Sequence, residues 1–144
     1  MPSNLTQYAF DLGFAFRKAL VDAFSLAGHP IAFEEWTTLS RLQGDPGLTH
    51  KALAAKLDRD QTTITRMIDR LVAKGLAERR ADPKDRRAAR IFLTRAGYDA
   101  YQMMAPVADA LQAKMVAAIP AEDLRKAEAV LGAALTAVNS LRKP

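Results

Sequence analysis

Residues 49–93, THKALAAKLDRDQTTITRMIDRLVAKGLAERRADPKDRRAARIFL, constrain the fold more than any other stretch. Within them, Ile64, Met67, Ile68, Leu71 and Val72 recur at helical spacing and fall on one stripe. The opposite side carries Thr62, Arg66, Asp69 and Arg70, with Thr63 and Thr65 on the shoulders. Such a helix presses its apolar face onto a core and shows short polar and basic groups outward. A helix lying in the DNA major groove needs that division. An ordinary amphipathic surface helix fits the same pattern, so the flanking segments decide.

On the N-terminal side, Thr49 has the chemistry of a helix cap ahead of Leu53, Ala54 and Leu57. That helix is about two turns long. Asp58-Arg59-Asp60 makes a tight connection, and Asp60 offers an oxygen to the backbone N–H of Thr62 or Thr63. Helix, three-residue turn, helix is the helix-turn-helix arrangement. Gly75 ends the second helix where a left-handed residue is wanted, and Leu76 packs back on its last turn. Residues 77–80 and 89–93 then read as two strands around a long cation-rich loop that starts at Asp82-Pro83. Asp85 is placed to hold that loop by pairing with Arg87 or a neighbouring arginine. An arginine-bearing β-loop beside a groove helix can enter the adjacent minor groove, where narrow A·T tracts concentrate negative potential.

Charge follows the same map. Residues 49–95 hold 13 Lys/Arg against 6 Asp/Glu, whereas the rest of the chain holds 8 against 10. A basic centre between near-neutral ends is the footprint of a polyanion-binding surface.

Leu5 to Leu26 is a long helix with one stripe through Leu5, Ala9, Leu12, Phe16, Ala19 and Leu20. Phe10, Phe14 and Val21 extend the apolar cover to a second side, which calls for more than one packing partner. A second subunit is expected ahead of enclosure by the chain's own C-terminal helices, because two-fold oligomers are common. Gly28-His29-Pro30 breaks the helix, and Pro30 suits the first turn of the next. Ile31 to Leu42 carries Phe33, Trp36, Leu39 and Leu42 as a short core helix, with Gly44-Asp45-Pro46-Gly47 as a turn. After a Thr94 cap, residues 95–118 place Ala100, Met103, Met104, Val107, Leu111, Met115 and Val116 toward a core. Pro106 is expected to kink or interrupt that run. Pro120 precedes a last helical stripe from Leu124 to Val138.

The chain of 144 residues reads as one domain, or a compact core with a helical extension. It has no cysteine, which excludes disulfides, thiolate catalysis and cysteine-based zinc or redox sites. With only His29 and His50, a multi-histidine metal site is not expected, nor is any cofactor. No apolar run approaches the ~18 residues that span a bilayer, so no membrane contact is expected. The opening MPSNLTQYAFDLGF lacks an export signal, which points to a cytoplasmic protein. No carboxylate pair, nucleophile–base pair or phosphate-cradling glycine loop suggests an enzyme.

Taken in order, these elements resemble the MarR (multiple antibiotic resistance regulator) family of winged-helix transcription factors. The resemblance rests on Asp69-Arg70-Leu71-Val72-Ala73-Lys74-Gly75-Leu76, then Asp82-Pro83-Lys84-Asp85-Arg86-Arg87, then Leu93-Thr94-Arg95-Ala96-Gly97. These match the family's helix end, its wing and the start of its following helix. The resemblance implies a mainly α fold with a small β-hairpin wing. It implies a single domain over 1–144, with a winged helix-turn-helix lobe at 31–94 and dimerisation helices at 1–28 and 95–144. It also implies a homodimer that binds a pseudo-palindromic operator in double-stranded DNA, usually as a repressor. Many members release DNA when a small amphipathic, often phenolic, ligand binds. The cysteine-based oxidant sensing of one branch does not carry over to a chain without cysteine.

On this mapping the groove helix offers Thr62, Thr63, Thr65 and Arg66 to bases and phosphates. The wing offers Lys84, Arg86 and Arg87, with Arg86 for the minor groove, Arg87 as the partner of Asp85, and Arg90 for phosphate. Tyr8, Phe16, His29 and Trp36 are candidates for a ligand cavity, although packing or capping explains each as well. The competing function is a winged-helix protein-interaction module. It would need an apolar or acidic exposed face where this chain has Thr62, Arg66 and a basic wing.

Overall fold

The computed structural model describes residues 3–142, so positions 1, 2, 143 and 144 of the expected domain and dimerisation spans lie outside the described residues. Six helices and three strands follow in the order α1 (Leu5–Leu26), α2 (Phe33–Gly44), β1 (Leu48–Thr49), α3 (His50–Leu57), α4 (Gln61–Ala73), β2 (Ala77–Ala81), β3 (Ala89–Leu93), α5 (Arg95–Val116) and α6 (Ala121–Leu141). The mainly helical fold with a small antiparallel sheet is the architecture expected from the sequence. Two compact units divide the chain, residues 1–109 and 110–144.

In the first unit, α2, α3 and α4 pack on one another, α2 and α3 also on β3, and α4 also on β2. Leu39, Leu42, Leu53, Ile64, Ile68, Leu71 and Ile91 are all fully buried there. The stripe of α4 thus meets the core as its spacing requires, with Val72 at its margin. Both expected caps form. The Thr49 hydroxyl accepts from Ala52 N–H at 3.1 Å, and Asp60 Oδ1 accepts from Thr63 N–H at 2.8 Å. Asp58, in the turn between the helices, takes φ 51°, a conformation that short polar side chains tolerate.

Gly75 adopts φ 73° at the end of α4 and lets Leu76 N–H reach the carbonyl of Leu71 at 2.9 Å. That corner is bolted to the start of α5. Thr94 N–H donates to the Leu76 carbonyl at 3.1 Å, and its hydroxyl donates to the Gly75 carbonyl at 2.5 Å. A Cβ on Gly97 would sit 2.0 Å from the Leu76 oxygen, so this close approach requires glycine. The Gly75-Leu76 and Leu93-Thr94-x-x-Gly97 motifs are therefore two halves of one contact.

Several details differ from the sequence expectation. A third strand, β1, joins the hairpin in the order β1-β3-β2, pairing Leu48 with Ile91 and Thr49 with Arg90. Two residues leave no periodic signature, so this strand was not anticipated. Helix α2 begins at Phe33, with Ala32 as its cap and Pro30 outside the first turn, and it extends through Gly44. Helix α5 is not interrupted at Pro106; it runs unbroken from Arg95 to Val116. A proline forfeits one backbone donor, which the bonds on either side of it can outweigh. Of the apolar positions expected to face a core in α5, only Met104 is buried, together with Gly97, while Met103 and Met115 are exposed. No described residue of α6 is buried. On α1, Leu20 and Phe24 are buried, but Phe10, Leu12 and Phe14 are exposed.

Candidate nucleic-acid interface

The exposed side of α4 is built by subtraction. Once Ile64, Met67, Ile68 and Leu71 are committed to the core, Gln61, Thr62, Thr65, Arg66 and Asp69 are left lining one shallow concavity of about 490 Å³. Thr62 and Arg66 are open to solvent and Thr65 is half-buried. Thr63 is drawn aside, because its hydroxyl donates to Asp60 Oδ2 at 2.6 Å. The Thr63 hydroxyl and its backbone N–H hold the Asp60 carboxyl below its ordinary pKa. The cap thus stays ionised at neutral pH. Thr63 is consequently engaged in helix initiation, while Thr62, Thr65 and Arg66 share the open face.

The wing is shaped by its two aspartates. Asp82 Oδ1 accepts from Lys84 N–H at 3.0 Å, and Asp85 Oδ1 accepts from Arg87 N–H at 2.9 Å. Each carboxylate closes a turn over the backbone two residues ahead. Ala88 N–H to the Asp85 carbonyl and Asp82 N–H to the Ala88 carbonyl, both 3.1 Å, complete the loop. Asp85 therefore orders the wing through the main chain of Arg87 rather than through its guanidinium. Lys84, Arg86 and Arg87 remain exposed at the loop.

Arg90, expected to reach phosphate, makes two contacts within the chain. Its Nε lies 3.2 Å from Asp82 Oδ2, and its terminal nitrogen donates to the Gly47 carbonyl at 3.0 Å. It ties the base of the wing to the loop before β1. Asp82, almost fully buried, is the other half of this clamp. Sequence reasoning read Asp82 only as part of a turn, because its partner lies eight residues away on another strand.

Contacts between β2, α3 and α4 add to this surface. Arg79 pairs with Asp69 across β2 and α4, and His50 contacts both Thr65 and Arg79. Burial, and secondarily the Arg79 charge, lower the His50 pKa against the opposing effect of Asp69. Thr49, His50, Lys51, Gln61, Arg79 and Arg87 line a cleft of about 460 Å³ between helix and wing. A basic cleft of this kind suits a phosphodiester backbone. Unpatterned single residues gave no sequence signal for it.

The four ligand-cavity candidates have different surroundings. Trp36 lines a groove of about 390 Å³ with Thr37, Ser40, Arg41, Gly44 and Leu57. It also stacks on Tyr101 at 5.6 Å and meets Phe24 at 4.8 Å. Tyr8 is exposed on α1, and Phe16 and His29 are half-buried.

The sequence model of the MarR family matches residues 33–89, the span from α2 through the wing. A Thauera aromatica protein assigned to transcriptional regulation of the hcr operon is 33% identical in an alignment of 98 positions that covers 64% of this chain. This chain spans 59% of that relative's length. Among solved structures, a MarR mutant from E. coli complexed with operator DNA superposes with a TM-score of 0.84 at 23% identity. The match covers 91% of this chain and 93% of that one. The S. aureus MepR–DNA complex gives 0.83 at 23% identity, covering 91% and 96%. At these identities the likeness establishes the fold.

Proposed function

We propose that this chain is a member of the MarR family, whose sequence model matches residues 33–89, and a cytoplasmic transcriptional regulator that binds double-stranded DNA sequence-specifically as a homodimer. One observation carries the reading. The face of α4 left over from core packing is polar and cationic, and it lies in the same unit as a wing whose exposed tip carries Lys84, Arg86 and Arg87. A protein-docking face would be apolar or acidic.

In this reading α4 enters the major groove. Thr62, Thr65 and Arg66 meet base edges and phosphates, while Arg86 enters the minor groove. Lys84 and Arg87 neutralise phosphates, and Asp85 keeps the loop in shape. The lobe at 31–94 reads DNA, and the helices at 1–28 and 95–144 join two copies. The exposed apolar side chains Tyr8, Phe10 and Phe14 on α1 and Val130, Leu135 and Val138 on α6 support that division. Two lobes about one duplex turn apart, roughly 34 Å, would read a pseudo-palindromic operator and exclude polymerase from it. A small amphipathic ligand would release the DNA by preferring a lobe spacing that does not fit the duplex, to the extent of its differential affinity.

The test is a mobility-shift titration of purified protein on genomic fragments against random competitor. Arg66→Ala or Arg86→Ala should weaken binding about tenfold without changing the thermal melt. Affinity should fall steeply with salt as counterions are released. No preference over competitor, or a flat salt response, would contradict the reading.

A further inference from the structure

His50, the first residue of α3, lies half-buried against the recognition helix and β2. Its Nδ1 is 3.1 Å from the Thr65 hydroxyl, and its Nε2 is 3.4 Å from Arg79 Nε. Arg79 in turn pairs with Asp69 on the same helix as Thr65. An arginine Nε can only donate, so Nε2 must be the lone-pair nitrogen of a neutral ring. The single ring proton then sits on Nδ1 and is donated to Thr65 Oγ1. Thr65 keeps its own hydroxyl proton. Thr37 and Thr38 donate theirs to the Glu34 carbonyl, whereas among the described residues Thr65 makes no such bond.

We propose that His50 is a positioning residue for base readout, fixing Thr65 as an outward hydrogen-bond donor by donating to its oxygen while accepting from Arg79. The inference rests on the DNA-reading function proposed above and names what one position of the site prefers. A free threonine hydroxyl donates or accepts by turning, and it discriminates weakly. With one lone pair engaged by His50, Thr65 favours a base edge that presents an acceptor. Such edges are a purine N7, guanine O6 or thymine O4, and the disfavoured ones are the amino groups of cytosine and adenine.

The arrangement holds only while the ring is neutral. Protonation leaves the Nδ1–H in place but puts an N–H on Nε2 against the N–H of Arg79, which repels the ring from its seat and takes Nδ1 out of line with Thr65. The charged groups facing the ring are Arg79 from β2 and Asp69 from α4, while Lys51 on α3 and Arg87 of the wing line the same cleft. Burial and Arg79 together keep the imidazole neutral at pH 7. Discrimination at the Thr65 position should accordingly fail only as pH drops below the ordinary imidazole range.

The experiment begins with selection from random-sequence duplexes using the full chain. Affinity for the enriched duplex, and for every single-base change in it, is then measured by fluorescence anisotropy. Thr65→Val should abolish discrimination at one position in each half-site. His50→Leu should lose about tenfold of discrimination at that same position and little elsewhere. His50→Asn, whose amide can replace the Nδ1 donor, should restore most of it. Wild-type discrimination there should fall as pH is lowered to about 5, while other positions hold. That pH profile decides the matter should His50→Leu not fold. Unchanged discrimination in His50→Leu, a loss spread evenly over all positions, or a flat pH profile overturns the proposal and leaves DNA reading intact. A wild-type chain that enriches no duplex removes the proposal and the reading beneath it together.

Discussion

Between Phe33 and Gly97 the apolar stripe of each helix is covered by a neighbour from the same unit, so Leu39, Leu42, Leu53, Ile68 and Leu71 show no surface at all. In α6 the same kind of stripe covers nothing: Leu135 is 62% exposed and Val138 53% exposed. The start of α1 repeats this, with Tyr8 71% and Phe10 66% exposed. Both regions carry helical apolar spacing, and a single chain buries only one of them. Exposed apolar stripes on long helices at both ends are what a chain has when its packing partner is another molecule. On the proposed reading, the centre presents a surface and the ends hold two such surfaces.

The contrast can be broken most forcefully at Leu71. Leu71→Ala empties a fully buried site and should cost about 3 kcal/mol in a urea melt. An effect under about 1 kcal/mol would mean the centre is not the rigid half. Gly97→Ala drives a methyl into the Leu76 carbonyl and should cost about 2 kcal/mol or more, read the same way. Asp82→Ala leaves Arg90 and the Lys84 N–H without their buried acceptor. It should cost about 1–2 kcal/mol and raise protease cleavage within residues 82–88. Thr49→Ala removes a helix cap and should cost about 1 kcal/mol. Leu135→Ala sharpens the comparison from the other side. Its effect on unfolding at low protein concentration should stay within about 0.5 kcal/mol, because the side chain is exposed in one chain. Sedimentation equilibrium should nevertheless show weaker self-association. Equal loss of stability at all concentrations would mean that α6 is packed within its own chain.

How much of this could be read from residues alone follows the same division. Helix α1, the Thr49 and Asp60 caps, the Gly75 stop and the hairpin are local features, set by residues within one turn of each other. They were legible for that reason. Strand β1, the Asp82–Arg90–Gly47 clamp and the His50–Thr65–Arg79 contact join positions 8 to 43 residues apart. Spacing along the chain does not encode which distant side chains meet. Of the expected DNA contacts, Thr62, Thr65, Arg66, Lys84, Arg86 and Arg87 keep a solvent-accessible side, which amphipathic spacing and loop composition suffice to anticipate. Thr63 and Arg90 also bond carboxylates of the scaffold, Asp60 from the legible cap and Asp82 from eight residues away.

The most direct test of the paired-reader account is hydroxyl-radical footprinting of the full chain on the duplex it enriches. The account predicts two protected patches related by a two-fold axis, with centres roughly 10 base pairs apart or a multiple of that, appearing together as protein is added. A single isolated patch, or protection that spreads without preferred position, would contradict it.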